Sequence, residues 1–153
     1  MDERTHSVEI DGQRHVWRVT RLWELADGLP AQPVPLAEFE SIWELDCWFG
    51  TVHTPTVGRV LDHLDRIQKA DLAYPILLSD TGVVMDGLHR LCKARLRGHE
   101  TIQAIRFSPT PPADRVEPAF QPDDDRDDHD DHDDHDDHDD HDDDGWGAHD
   151  RVV

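Results

Sequence analysis

The stretch from Tyr74 to Phe107, YPILLSDTGVVMDGLHRLCKARLRGHETIQAIRF, decides the fold. YPILL is a short unbroken apolar run, which reads as a strand. SDTG is a turn, and VVM is a second strand that leads straight into Asp86-Gly87. From Leu88 a helix should continue to Gly98, whose missing β-carbon suits the left-handed residue that ends many helices. TIQAIRF, Thr101 to Phe107, is then a last strand. Strand, turn, strand, helix, strand predicts an α+β domain in which helices pack on a small mixed sheet.

Working outward, SVEIDGQRHVWRV alternates apolar and polar residues on both sides of Asp11-Gly12, a dipeptide suited to a tight hairpin. RLWELADGL should form a short helix stopped by Gly28 and Pro30, followed by VPLAEF as an extended piece. ESIWELDCWFG mixes aromatic and acidic residues without a clean period. In HTPTVGRVLDHLDRIQKAD, Thr54 is placed to cap a helix, Pro55 fits its first turn, and the helix should run to about Ala70. Val57, Val60, Leu61, Leu64 and Ile67 recur at spacings of three and four and predict one buried stripe, with Arg59, Asp62, His63 and Arg66 off it.

Composition divides the chain. Of its 153 residues, the segment 121–151 holds 17 of the 35 acidic residues but only 2 of the 15 basic ones. The formal net charge of −20 therefore belongs mostly to the tail, and the body keeps 13 basic against 18 acidic residues, a net of −5. A mildly acidic body argues against broad adhesion to nucleic acid, which needs a basic surface to displace counterions. The two cysteines, Cys47 and Cys92, have no metal-type spacing, the opening MDERTHSVEIDG lacks an apolar signal-type segment, and no run is long enough to span a membrane. A cytoplasmic location, without membrane contact and with reduced thiols, is expected.

The tail, HDDHDDHDDHDDH, places His129, His132, His135, His138 and His141 three residues apart with no apolar residue between them. It cannot bury surface to offset its ordering entropy and should be disordered. In an extended polyproline II chain neighbouring histidines would lie about 9 Å apart, too far to share one ion without folding back. Loose divalent-metal binding and a merely solubilising role are both open readings.

The turn at Asp86 carries the chemistry. At 100° per residue, His89, Arg90, Lys93 and Arg97 fall near one another on α-helical geometry, opposite Leu88, Leu91, Cys92 and Leu96. A helix N-terminus presents unpaired amides and partial positive charge, so it attracts anions. Gly87 would let backbone approach a phosphate, Arg90 and Lys93 would hold its oxygens, and His89 would donate a hydrogen bond or pass a proton. Asp86 beside such an anion calls for a magnesium ion or a role as base. A plain Asp-Gly corner followed by a solvated basic face has the same local pattern.

This region resembles the core of the ParB/sulfiredoxin-like superfamily, and MDGLHR looks most like the Asp-Gly-x-His-Arg signature of its small ParB-like members. The likeness extends upstream through WFG, PTV and HLDRIQKADLAYPI, and so spans residues 15–107. It implies a ParB/sulfiredoxin-like domain over residues 1–107, with a Pro-rich linker at 108–122 and the Asp/His tail at 123–153. It also implies that the loop binds a nucleotide, ATP, ADP or CTP, with magnesium. Sulfiredoxins carry a nucleophilic cysteine where this chain has Leu88, with Cys92 a helical turn further on, so that reaction is not expected. Partition proteins add a helix-turn-helix after this core, and the residues after Phe107 do not read as one, so sequence-specific DNA binding is not expected.

The superfamily's free-serine kinases carry Asp-Gly-His-His-Arg, which matches Asp86, Gly87, His89 and Arg90, with Leu88 in place of the first histidine. They also use an upstream glutamate as base. Glu40, Glu44 and Asp46 lie in the corresponding region, and Glu44 is the first choice. By the same resemblance the helix bearing His63 and Arg66 borders the nucleotide cleft, while Trp43, Trp48 and Phe49 either stack on a base or belong to the core. Two functions follow: a nucleotide-dependent phosphotransferase acting on a small-molecule acceptor, with Asp86, His89 and Glu44 catalytic, or a non-catalytic nucleotide-sensing or partition-type regulator.

Overall fold

The computed structural model describes residues 3–50 and 53–119, a small α+β fold with two sheets. Strands β1 (Thr5–Ile10) and β2 (Gln13–Arg18) pair antiparallel across Asp11-Gly12. Both turn residues have positive φ, 51° and 73°, the twist that matches a two-residue hairpin. Helix α1 (Val19–Ala26) follows without a break. Next come β3 (Gln32–Pro35), a 3-10 helix (Leu36–Glu44), helix α2 (Val57–Lys69), β4 (Ile76–Leu78), β5 (Val84–Asp86), helix α3 (Leu88–Leu96), β6 (Thr101–Arg106) and β7 (Arg115–Pro118). The second sheet has the order β3-β6-β4-β5, with β4 and β6 parallel and the other pairs antiparallel.

That sheet is buried on both faces. Leu77, Met85, Ile105 and Phe107 point to one side, where they meet Trp17 on β2 and Leu22 and Ala26 on α1. Their neighbours Ile76, Leu78, Ile102 and Ala104 point to the other side, against Phe39, Leu91 and Ala94. The strand period of two thus sends alternate residues into two cores. Ile76, Leu77 and Leu78 are completely buried, which accounts for the unbroken apolar run; each contributes roughly 1.5–3 kcal/mol by leaving water. Gly98 ends α3 with a left-handed φ of 71°, as its position predicts.

Four expectations are corrected. The expected domain boundary at Phe107 moves: β7 adds to the edge of β2, and residues 108–114 pack instead of linking. Proline removes an amide hydrogen but keeps its carbonyl. Here Trp17 Nε1 donates to Pro111 O at 2.8 Å and Arg21 to Pro112 O at 3.1 Å, while the Asp114 carboxylate accepts from the Arg18 amide at 2.7 Å. Second, α2 is capped by Thr56, whose hydroxyl accepts from the Arg59 amide, and not by Thr54. Third, the stripe on α2 faces water. Val57 is 78% exposed and Leu61 56%, Val60 and Leu64 are also exposed, and only Ile67 is buried. In addition VPLAEF is extended only as far as Pro35, after which the 3-10 helix begins. Among the described residues no helix is long and apolar enough to cross a membrane.

Candidate functional site

Strand β5 delivers Asp86 to the sheet edge, and Gly87 turns the chain into α3 with φ 103°. A β-carbon at Gly87 would lie 2.6 Å from Ile76 Cγ2 and 3.0 Å from the Arg90 guanidinium. The glycine is therefore required by close packing against β4 as well as by its backbone conformation. It is the N-cap of α3 and offers no side chain to the first-turn amides, so that end of the helix keeps its anion-attracting character.

Asp86 is the hub of the turn. Its Oδ2 accepts from Trp23 Nε1 at 2.9 Å and from Arg90 NH2 at 3.1 Å, while Arg4 stands 3.6 Å from Oδ1. Arg90 also lies over the Trp23 ring, 5.5 Å from its centroid. The carboxylate thus faces hydrogen-bond donors and a guanidinium pair. A resident magnesium ion does not fit that environment, since the cation would compete with two arginines for the same oxygens. Among the described residues no three His, Cys, Asp or Glu side chains converge to hold a metal. Asp86 is accounted for as the anchor of Arg90 and Trp23, in place of the expected metal or base role.

His89, on the first turn of α3, meets α2. Its Nε2 is 2.9 Å from His63 Nδ1, and the indole of Trp48 lies nearly parallel to both rings, with centroid separations of 4.4 Å to His63 and 5.2 Å to His89. Phe49 meets the edge of His63. Burial pulls the His89 pKa down to about 4, helped by the facing His63 and the Arg66 and Arg4 guanidiniums. Burial, then Arg66, lowers His63 as well. At neutral pH both rings are uncharged, so one donates and the other accepts in their shared hydrogen bond.

A cleft of about 810 Å³ opens over this turn. Gly87, Leu88, His89 and Arg90 line it, joined by Arg4 and His6 from β1 and its approach, and by Arg66 and Lys69 from α2. Its acids are already engaged. Asp46 accepts from the amides of Phe49 and Gly50 at 2.8 Å and of Trp48 at 3.3 Å, bonds that hold its carboxyl below the usual range, with that of Phe49 the largest cause. Asp71 accepts from the Ala73 amide at 2.9 Å. Two nitrogens on the wall, His6 Nε2 and Arg90 Nε, are buried without a hydrogen-bond partner among the described residues. The wall carries four cationic side chains against three acids; Arg4 and Arg90 pair with Asp86 and Lys69 with Asp65, and the small cationic excess suits an anion.

The other expected residues divide. Lys93 does not reach the cleft: its ammonium donates to the carbonyls of Gln68 and Ala70 and ties α3 to the end of α2. The basic stripe of α3 is thereby dispersed, with His89, Arg90 and Lys93 each directed to a different partner. Glu44 is exposed at the end of the 3-10 helix and lines a smaller neighbouring pocket, not the cleft over Gly87. Trp43 belongs with the core beside Phe39 and carries Arg95 over its ring at 4.3 Å. Arg66 lines the cleft, whereas His63 does not and instead meets the cleft residue His89. His129, His132, His135, His138 and His141 lie outside the described residues. Sequence reasoning missed Arg4, His6 and Trp23, which come from 60 or more residues upstream of the turn and share no local pattern with it.

No family model matches the chain, and neither curated protein sequences nor solved structures give a match.

Proposed function

We propose that the cleft over Gly87 binds the phosphates of a nucleotide, in the manner of a small ParB-like protein of the ParB/sulfiredoxin-like class. The observation that carries this reading is that Arg4, Arg66 and Arg90 line the same cleft as the uncapped N-terminus of α3, at the MDGLHR turn that motivates the resemblance. Amides and guanidiniums together form a donor set matched to phosphate oxygens. His89 adds a neutral ring whose protonation an incoming anion would favour, so binding should tighten as pH falls from 7 towards 5.

Of the two functions open to such a site, nucleotide sensing is the better supported. A phosphotransferase needs a base near the acceptor oxygen, whereas Glu44 lies off the cleft and Asp86 is engaged by Trp23, Arg4 and Arg90. The His63–His89 pair is the remaining proton acceptor if transfer occurs.

Calorimetry with ATP, ADP, CTP and GTP, with and without magnesium, tests the reading. At least one nucleotide should bind, and Arg66→Ala should weaken it about tenfold, the value of one charge-assisted contact. Absence of binding by every nucleotide would overturn the proposal. Phosphate transfer or release that is lost in His89→Gln would select the enzyme over the sensor.

A further inference from the structure

Helix α2 carries an apolar face that its own chain leaves unused. Val57, Val60, Leu61 and Leu64 fall within about 100° of arc on the helix, and among the described residues nothing covers them. A single exposed leucine needs no explanation, but four apolar side chains in one continuous row form a patch. Gly58 borders the row, one turn before Leu61. Its φ is not left-handed and a β-carbon there would meet nothing, so neither backbone conformation nor packing among the described residues requires a glycine. Glycine weakens a helix relative to alanine. What it offers on an exposed face is close approach of another backbone.

We infer that this face docks against the same face of a second copy of the chain, with the two α2 helices antiparallel about a two-fold axis. The row is self-complementary in that arrangement, as a two-fold contact requires. With the axis between Val60 and Leu61, Val57 lies opposite Leu64 of the other copy and Val60 opposite Leu61, so a shorter side chain faces a longer one at each level. The same register sets Asp65 beside Thr56 of the other copy, the N-cap of its α2, where the helix end carries partial positive charge. Within its own chain Asp65 is paired with the exposed Lys69 and is free to approach that end.

The area suffices for a dimer of moderate affinity. The row exposes on the order of 300 Å² of apolar surface per copy. At the usual nonpolar share of interfaces, about 57%, the pair corresponds to roughly 1,000 Å² buried in all, the lower limit for a specific contact. A Kd of about 10 μM is expected. A lipid surface fits less well, because the charged residues of α2, Arg59, Asp62, Asp65, Arg66 and Lys69, are of both signs, whereas helices that lie on membranes carry mostly Lys and Arg on their polar face.

Sedimentation equilibrium of the full chain tests the contact, from about 1 to about 200 μM in about 0.15 M salt, which screens repulsion between two chains of net charge −20. The wild type should dimerise within that range. Leu61→Gln should weaken the dimer about tenfold or more, while the dilute monomer keeps wild-type stability because the position is exposed there. Val57→Glu and Leu64→Lys should each weaken self-association. An equimolar mixture of those two variants should associate about threefold or more tighter than either alone, because the register places positions 57 and 64 opposite each other with complementary charge. A wild type that stays monomeric at about 200 μM, a dimer indifferent to Leu61→Gln, or a mixture no tighter than its components would each overturn the proposal. A monomeric chain that binds phosphatidylglycerol vesicles, and loses that binding in Leu61→Gln, would overturn it in favour of a lipid surface.

Discussion

Helices α2 and α3 lie side by side and solve the same problem in opposite ways. Helix α3 lays Leu91 and Ala94 against the sheet and is anchored by Arg90 to Asp86 at one end and by Lys93 to the carbonyls of Gln68 and Ala70 at the other. Helix α2 turns His63 and Ile67 inward and leaves Val57, Val60, Leu61 and Leu64 to water. What draws α2 in is a polar and aromatic contact, the His63–His89 pair beneath Trp48, together with the Lys93 bonds to its last carbonyls. An amphipathic helix buries the face that finds partners, and the available partner here was the half-buried start of α3.

The comparison can be broken most strongly at the point where α3 is tightest. Gly87→Ala places a β-carbon 2.6 Å from Ile76 in a left-handed conformation, so strain and overpacking together should cost about 3 kcal/mol or more in urea denaturation. A cost below about 1 kcal/mol would mean that close packing against Ile76 does not require the glycine.

The contact between the helices should appear as a pH dependence. His89 titrates near 4 in the folded chain, where burial and its neighbours disfavour the charged ring, against a reference value of 6.5. Between those values the unfolded chain binds a proton that the folded chain does not, so stability is complete above about pH 6.5 and declines as pH falls towards 4. Allowing for solvent screening of the partly exposed pair, the loss from pH 7 to 4.5 should be about 1–2 kcal/mol. His89→Gln should remove most of this slope in denaturation followed by tryptophan fluorescence, and an unchanged slope would place its origin at other groups. The smallest effect belongs to the outer face of α2. Leu61→Gln should change stability by no more than about 0.5 kcal/mol, whereas a cost above about 2 kcal/mol would show that this side chain packs against something.

Much of the fold was legible. Asp11-Gly12 specified a hairpin because few dipeptides accept two positive φ angles in succession, and YPILL specified an apolar strand, although the covering of both its faces is seen only in the fold. Gly98 marked the end of α3. At the site, MDGLHR correctly singled out the strand-to-helix turn and its uncapped helix end. The partners of Asp86 were not legible, because Trp23 and Arg4 reach it across the molecule and a contact of that kind leaves no period or spacing behind. Nor was the packing of residues 108–118, where proline carbonyls accept bonds that a proline-rich composition does not reveal.

By itself, then, the sequence determined the local elements: the hairpin, the apolar strand, the α+β order, and a glycine turn opening a helix. These depend on backbone preference and on the alternation or periodicity of neighbouring residues. Tertiary structure alone decided the direction in which α2 faces, the occupation of Asp86 by Trp23 and two arginines, the diversion of Lys93 to α2, and the distance of Glu44 from the cleft. Those outcomes are set by competition among partners distant in the chain. A spacing rule reports which side chains share a face, and only packing decides what that face meets.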